Sequence, residues 1–114
     1  MGKLFLDDSA KINASIKADK NGGTDYAMAI TFWKALELNG ESELTCDSDF
    51  VTLYDYWNMN DADSVEVNLN GSSKLTLEGK SNVCAYGPKM SFHVNENASL
   101  SVKAPGNAVR VNNF

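Results

Sequence analysis

The only histidine of the chain, His93, lies between Phe92 and Val94. Successive side chains of a strand point to opposite faces, so two apolar neighbours predict a buried face and place His93 on the outside. General acid–base catalysis needs a second group within hydrogen-bond reach, and the repeat described below aligns only Glu37 and Asn68 with this position. We therefore expect a surface histidine without a catalytic role.

The two cysteines, Cys46 and Cys84, are expected to be on different faces. Cys46 shares the alternation of Leu44, which predicts a buried side chain, whereas Cys84 shares the alternation of Arg110, which predicts an exposed one. A buried thiol behaves as a small apolar group, and an exposed thiol needs an activating base to react. We expect two thiols, with a disulfide formed across a strained register as the alternative.

Acidic and amide side chains are concentrated in residues 47–49 and 58–63. Their oxygens are the ligands that Ca²⁺ prefers. Neither segment has the glycine and bidentate glutamate of the helix–loop–helix calcium motif, so that site is excluded. A looser cation site is the alternative to solvated carboxylates, and we predict neither a metal nor another cofactor.

Aromatic residues lie next to the second of these acidic segments, and Phe32 and Trp33 occur one unit earlier. Such aromatic side chains either cover an end of the core or anchor a partner, by filling a protein interface or by stacking on sugar rings. The acidic residues around them would form a rim. The predicted partner-binding residues are Tyr54, Asp55, Tyr56, Trp57, Asp61 and Asp63.

The elements that position these residues follow from one motif that occurs four times. Its pattern is apolar, any residue, apolar, Asp or Asn, and then an aliphatic residue five positions further on. Residues 4–12, 36–44, 67–75 and 92–100 align without gaps, with offsets of 32, 31 and 25 residues. Offsets in this range are typical of solenoid repeats, and each copy predicts a strand, a corner and a second strand.

Stacking these copies would form a continuous core and an outer ladder. A further alternating run follows in residues 50–54, 82–86 and 108–111. The sequence therefore predicts one all-β domain over 1–114, a small parallel β-solenoid of about four irregular coils. The predicted inner columns are Leu6, Leu38, Leu69, Val94 and Ile12, Leu44, Leu75, Leu100, and the predicted outer ladder is Asp7, Asn39, Asn70, Asn95.

One segment has a competing interpretation. Residues 24–38 could form a short helix, with Thr24 or Asp25 as N-cap, apolar residues at helical spacing and Gly40 as terminator. The alignment of Leu36 and Leu38 with three other copies favours a strand. The polar residues 17–24 before it predict a protruding loop.

The sequence of strand, Asn corner and strand, as in residues 97–102, resembles the repeats of right-handed parallel β-helix proteins, including autotransporter passenger and adhesin-type repeats. The resemblance extends over most of the chain. It implies a right-handed solenoid. The group uses this scaffold in adhesion, polysaccharide processing, phage tail parts and small inhibitory proteins.

The net charge of −5 disfavours direct binding to nucleic acid or to an anionic membrane, and no segment has the roughly 20 apolar residues of a membrane span. The apolar residues at the start end at Asp7, too early for a secretory signal, so a cytoplasmic location is favoured over an extracellular one. Open strand edges favour stacking into oligomers unless they are charged or capped, and Asp7, Asp8 and Pro105 near the ends are the candidate guards against it.

The predicted function is a non-enzymatic binding protein that engages a macromolecule, such as a phage-encoded or mobile-element-encoded inhibitor docking on a host protein. The alternative is a cell-surface or phage-tail adhesin module that binds a glycan or receptor. A fragment of a polysaccharide-acting enzyme is the third possibility, since fold analogy alone does not supply a site.

Overall fold

The computed structural model describes residues 3–16, 30–31, 35–48, 53–54, 65–79, 85–105 and 109–113. The regular structure in these ranges is entirely β-strand. The strands are β1 (Lys3–Leu6), β2 (Lys11–Ile16), β3 (Ile30–Thr31), β4 (Ala35–Leu38), β5 (Glu43–Ser48), β6 (Leu53–Tyr54), β7 (Val65–Leu69), β8 (Lys74–Gly79), β9 (Ala85–Val94), β10 (Ser99–Lys103) and β11 (Val109–Asn113).

These strands pair in parallel and form three stacks of four. The first stack is β1, β4, β7 and the end of β9, the second is β2, β5, β8 and β10, and the third is β3, β6, the start of β9 and β11. Because β9 belongs to two stacks, the first and third stacks are one sheet of seven strands. The predicted all-β parallel solenoid of four coils is confirmed.

The strand interpretation of Leu36 and Leu38 is also confirmed, because both lie in β4, between β1 and β7. The helical alternative is wrong for residues 30–31 and 35–38, which are strands. Residues 24–29 and 32–34 of that segment, and the predicted loop 17–24, lie outside the described residues.

The register of the first two stacks follows the predicted alignment. Leu6 pairs with Leu38, Leu38 with Leu69, and Leu69 with Val94. In the second stack the same order holds for Ile12, Leu44, Leu75 and Leu100. The unequal numbers of residues per coil are therefore absorbed outside these strands.

The core is deepest in the two middle coils. Leu38, Leu69, Leu44 and Leu75 are fully buried, and so are the neighbouring inward residues Leu36, Val67, Cys46 and Leu77. Each predicted column has one poorly buried end, since Val94 is 43% exposed and Ile12 is 39% exposed, whereas Leu6 at the other end of the first column is 2% exposed. A terminal coil has a neighbour on one side only, so the expectation of full burial along both columns is wrong at these positions.

Each first-stack strand ends in a corner with the same backbone conformation. The second corner residue has a positive φ in every coil: 58° at Asp8, 63° at Gly40, 67° at Gly71 and 55° at Glu96. The third corner residue donates its N–H to the positive-φ residue of the preceding coil, as in the 2.7 Å bond from Glu41 N to Asp8 O. Glycine occupies this position in the two middle coils, as Gly40 and Gly71, because it adopts a positive φ without strain.

The first corner residues form the predicted ladder. The Nδ2 of Asn39 donates to Asp7 Oδ1 at 2.8 Å, Asn70 Nδ2 donates to Asn39 Oδ1 at 2.9 Å, and Asn95 Nδ2 donates to Asn70 Oδ1 at 2.9 Å. Every bond runs from a coil to the coil before it, so the ladder has a direction and ends on the carboxylate of Asp7.

Two corner serines were not singled out by the sequence. Ser42 and Ser73 are fully buried, and their hydroxyls donate at 3.3 Å to Leu6 O and Leu38 O in the preceding coil. The first and last coils have Ala10 and Ala98 at the end of the corner instead. Serine therefore occupies this position only in the two middle coils. A comparison of the four copies could have shown this difference between middle and terminal coils.

We expect Asn70→Ala to lower the free energy of unfolding by about 1–2 kcal/mol, because it removes one ladder bond on each side and leaves half-buried polar groups unpaired. Urea unfolding measures the change. Asn95→Ala is the matched variant, since it removes a single bond at an exposed end. Equal losses in the two variants would show that the ladder does not stabilise the middle coils.

Candidate functional site

The outer face of the second stack is polar and carries balanced charge. Three lysines and three acidic residues project from it, so its formal charge is zero although the chain carries −5. Its three rows are Lys11, Glu43, Lys74, Ser99, then Asn13, Thr45, Thr76, Ser101, and then Ser15, Asp47, Glu78, Lys103.

Most of the charged side chains of this face are paired with one another. Lys11 Nζ lies 3.8 Å from Glu43 Oε2, and Lys103 Nζ lies 3.9 Å from Glu78 Oε1. Ser15 Oγ donates to Asp47 Oδ1. A shallow groove of about 370 Å³ at its edge is lined by two lysines, two glutamates, Ser9 and Ser72, so its charges also balance. Such exposed pairs are typical of a solvated face.

The outer face of the first stack holds the aligned residues Glu37, Asn68 and His93 in one row. His93 is exposed on β9, as predicted. Its Nε2 lies 2.6 Å from Glu66 Oε2 of the neighbouring strand, and Glu37 instead accepts a 2.9 Å bond from Asn39. Two of the three aligned residues, Glu37 and His93, therefore belong to separate contacts.

A His–Glu pair could activate a hydroxyl nucleophile if one were within hydrogen-bond reach of the free ring nitrogen. Ser91 is on the same face of β9 as His93, two residues earlier, and it is 7% exposed. Side chains two residues apart on a strand are separated by roughly 7 Å, beyond hydrogen-bond reach. In the described part of the chain, this pair has no aligned nucleophile.

The third stack brings two tyrosines together in register. Tyr54 of β6 pairs with Tyr86 of β9, and Tyr86 pairs in turn with Arg110 of β11. Thr31 of β3 begins this row, and the preceding row is apolar: Ile30, Leu53, Ala85 and Val109. Neighbouring strands are about 4.8 Å apart, so Tyr54, Tyr86 and Arg110 occupy consecutive positions along the solenoid axis.

Tyr54 lies in the most acidic segment of the sequence, residues 49–64. Residues 49–64 contain four aspartates and neither lysine nor arginine, so they contribute −4 to a net charge of −5. The short strand β6 lies within this segment, and Tyr54 is its last residue. Most of the net charge therefore lies in the segment of the sequence that contains β6.

The structure places one of the six predicted partner-binding residues. Tyr54 is in β6, paired with Tyr86. Asp55, Tyr56, Trp57, Asp61 and Asp63 lie outside the described residues, as do Phe32 and Trp33. The register of the third stack does show where the chain leaves for these segments, because Thr31 of β3 and Tyr54 of β6 are paired and are the last residues of their strands.

Sequence reasoning missed Tyr86 and Arg110 as neighbours of Tyr54. Residues 50–54, 82–86 and 108–111 were predicted strands, but they were not aligned with one another residue by residue. Placing Leu53, Ala85 and Val109 in one row would have joined Tyr54, Tyr86 and Arg110. Each run does contain an apolar residue followed by a polar or aromatic one, but this signal is too short to fix the register.

The other candidates can be placed only in part. Cys46 is buried, as predicted, and is not part of a disulfide, whereas Cys84 lies outside the described residues. Asp47 is engaged by Ser15, and residues 49 and 58–63 are outside the described ranges. Within those ranges, no group of three His, Cys, Asp or Glu residues could hold a metal ion.

Comparisons of the chain with protein-family models, with curated proteins and with solved structures found no match. In the part of the chain that the structure describes, no helix is long and apolar enough to cross a membrane.

Proposed function

We propose that this chain is a non-enzymatic binding protein that holds a basic protein partner against the third stack of its solenoid. The observation that carries the proposal is the register of that stack, which aligns Tyr54, Tyr86 and Arg110 on consecutive strands. Tyrosine and arginine are enriched among the residues that dominate protein–protein binding energy. Tyr54, Asp55, Tyr56, Trp57, Asp61 and Asp63 remain the proposed contact residues, with Tyr86 and Arg110 added.

The charge distribution supports a basic partner. An acidic segment at the binding surface attracts a positively charged protein, increases the rate of association and makes the complex sensitive to salt. Residues 49–64, the segment of the sequence that contains Tyr54, carry four negative charges. The segment therefore combines aromatic residues with negative charge, whereas the outer face of the second stack has paired and balanced charges.

The proposed setting is an inhibitor encoded by a phage or mobile element that docks on a host protein, which the acidic surface would suit. A glycan-binding adhesin module is the second candidate, favoured by one observation. Two tyrosines lie on adjacent parallel strands about 4.8 Å apart, and aromatic rings in such a row could form a platform for stacking on sugar rings. The salt dependence of binding separates the two candidates.

A set of three variants tests the proposal. Tyr54→Ser with Tyr86→Ser removes the tyrosine row, and Asp55→Asn with Asp61→Asn and Asp63→Asn reduces the charge of the segment. Thr45→Ala with Thr76→Ala changes the outer face of the second stack and serves as the control. Each immobilised protein is exposed to a host lysate and, in parallel, to a glycan array, and bound proteins are identified and purified for measurement of Kd.

We expect one basic protein to bind the wild type and the control, and to bind both other variants about 30-fold or more weakly. Its binding should also weaken as salt rises from about 0.1 M to about 1 M, where the Debye length falls from about 10 Å to about 3 Å. Binding of a glycan that is insensitive to salt, and that only the Tyr54 and Tyr86 substitutions abolish, would favour the second candidate. Full binding by both variants would place the site elsewhere.

A further inference from the structure

The two ends of the solenoid match each other in register. If a second copy continued the stacks, its Leu6 would follow Val94, its Ile12 would follow Leu100 and its Ala14 would follow Val102. All of these inward positions are apolar. Val94 and Ile12 are 43% and 39% exposed at the two ends and would be covered by such a contact.

The strand edges and outer faces at the two ends are also compatible. β2 and β10 are the edge strands of the second stack, and β1 is an edge of the larger sheet, so each presents backbone groups for a further parallel strand. In a continued register, Lys11 would follow Ser99 and Ser15 would follow Lys103. Across the described strands of the second stack, the junction would bring no like charges together.

The corner is where continuation fails. Every ladder bond requires the later coil to donate an amide N–H to the Oδ1 of the coil before it. Asn95 uses its Nδ2 on Asn70, so its Oδ1 would face the next coil, and the first residue of a following copy would be Asp7. An ionised carboxylate has no proton to donate, so two acceptors would meet.

The next corner position adds a further obstacle. Asp8 of the following copy would lie against Glu96, and like charges in contact repel. Corners of successive coils are in close contact, as the 2.9 Å bond from Asn97 N to Gly71 O shows, so the two acidic residues would be direct neighbours.

We propose that Asp7, Asp8 and Glu96 form a stop that prevents head-to-tail stacking of copies of this chain through ends that otherwise match. The stop is local to the corner, because the inward rows and the second-stack faces of the described residues would continue across the junction. Charged residues on edges are a general way to prevent strand pairing between molecules, and here they also interrupt a hydrogen-bonded ladder.

The test is the variant Asp7→Asn with Asp8→Gly and Glu96→Gly, which gives every coil the Asn–Gly corner of the middle coils. Sedimentation velocity over a wide range of concentration measures assembly. We expect the wild type to remain monomeric and the variant to form a series of dimers, trimers and larger species, because head-to-tail contacts do not close. A mass that stops at two copies would indicate a symmetric contact and overturn the proposal.

Two further variants separate the stop from a general effect of charge. Glu41→Gln with Asp47→Asn and Glu78→Gln removes the same number of negative charges from the middle coils, and we expect a monomer. Adding Val94→Lys to the corner variant places a charge in the apolar row of the junction and should restore the monomer. A monomeric corner variant with a native circular dichroism spectrum, or stacking by the wild type, would contradict the proposal.

Discussion

Leu44→Ala is expected to lower the free energy of unfolding by about 3–4 kcal/mol, a large share of the about 5–15 kcal/mol of a typical domain. Leu44 is fully buried on β5, with Ile12 on one neighbouring strand and Leu75 on the other. The truncation removes three carbons from a site enclosed by coils on both sides. Little of the resulting cavity can close, because the hydrogen bonds of three parallel strands fix the spacing of the coils.

Ile12→Ala is the matched variant for this prediction. It removes the same number of carbons from the same inward row, but at the first coil, where Ile12 is 39% exposed. We expect a loss of about 1–2 kcal/mol, because part of the side chain is already in water and the neighbourhood can relax. Urea unfolding monitored by circular dichroism gives both values, provided that the slope with denaturant is the same. Equal losses would contradict a core that is weaker at its ends.

The first two stacks could be predicted from sequence because their signals are local and repeated. An apolar residue at alternate positions, followed by Asp or Asn, requires no knowledge of the rest of the chain, and four copies fix the register. Leu6, Leu38, Leu69 and Val94 pair as the alignment predicts. The ladder was predictable for the same reason, although its direction depends on amide orientation, which the sequence does not contain.

The third stack could not be aligned residue by residue because its pairing is short and its spacing changes. β3 and β6 are two residues each, and successive partners Ile30, Leu53, Ala85 and Val109 are 23, 32 and 24 residues apart. Two residues contain one alternation, which is too little to exclude other registers. The proposed binding row lies in this stack, so its members could be found only from strand pairing.

The properties of the terminal coils could not be predicted from a pattern that treats all four copies alike. The alignment gives Val94 and Leu69 the same role, yet the burial of a residue in a stack depends on whether a coil follows it. Asp7 and Glu96 differ from the middle corners in the sequence itself. Their proposed role in preventing stacking depends on the direction of the ladder bonds and on the contact between successive corners, which only the structure shows.

Gly71→Ala should lower the free energy of unfolding by about 2–3 kcal/mol, through two effects that act at the same corner. Gly71 has a φ of 67°, where an L-residue is strained by roughly 1–2 kcal/mol. An added Cβ would also lie 2.9 Å from Gly40 O and 3.1 Å from Gly40 N. Those atoms belong to backbone that accepts the 2.8 Å bond from Ser72 N, so the coil cannot shift without weakening that bond.

Gly71→Asn separates the two effects, because asparagine tolerates a positive φ but has the same Cβ as alanine. If the contact with Gly40 dominates, Gly71→Asn should be nearly as unstable as Gly71→Ala, and if backbone strain dominates, most of the stability should return. We expect the former, because Gly71 has a coil on both sides, whereas Glu96, with the same positive φ and a Cβ, lies in a terminal coil that is held on one side only. Ser72→Ala, at the exposed next position, should change the free energy of unfolding by less than about 0.5 kcal/mol. A loss of that small size for Gly71→Ala would mean that the corners do not set the spacing between coils.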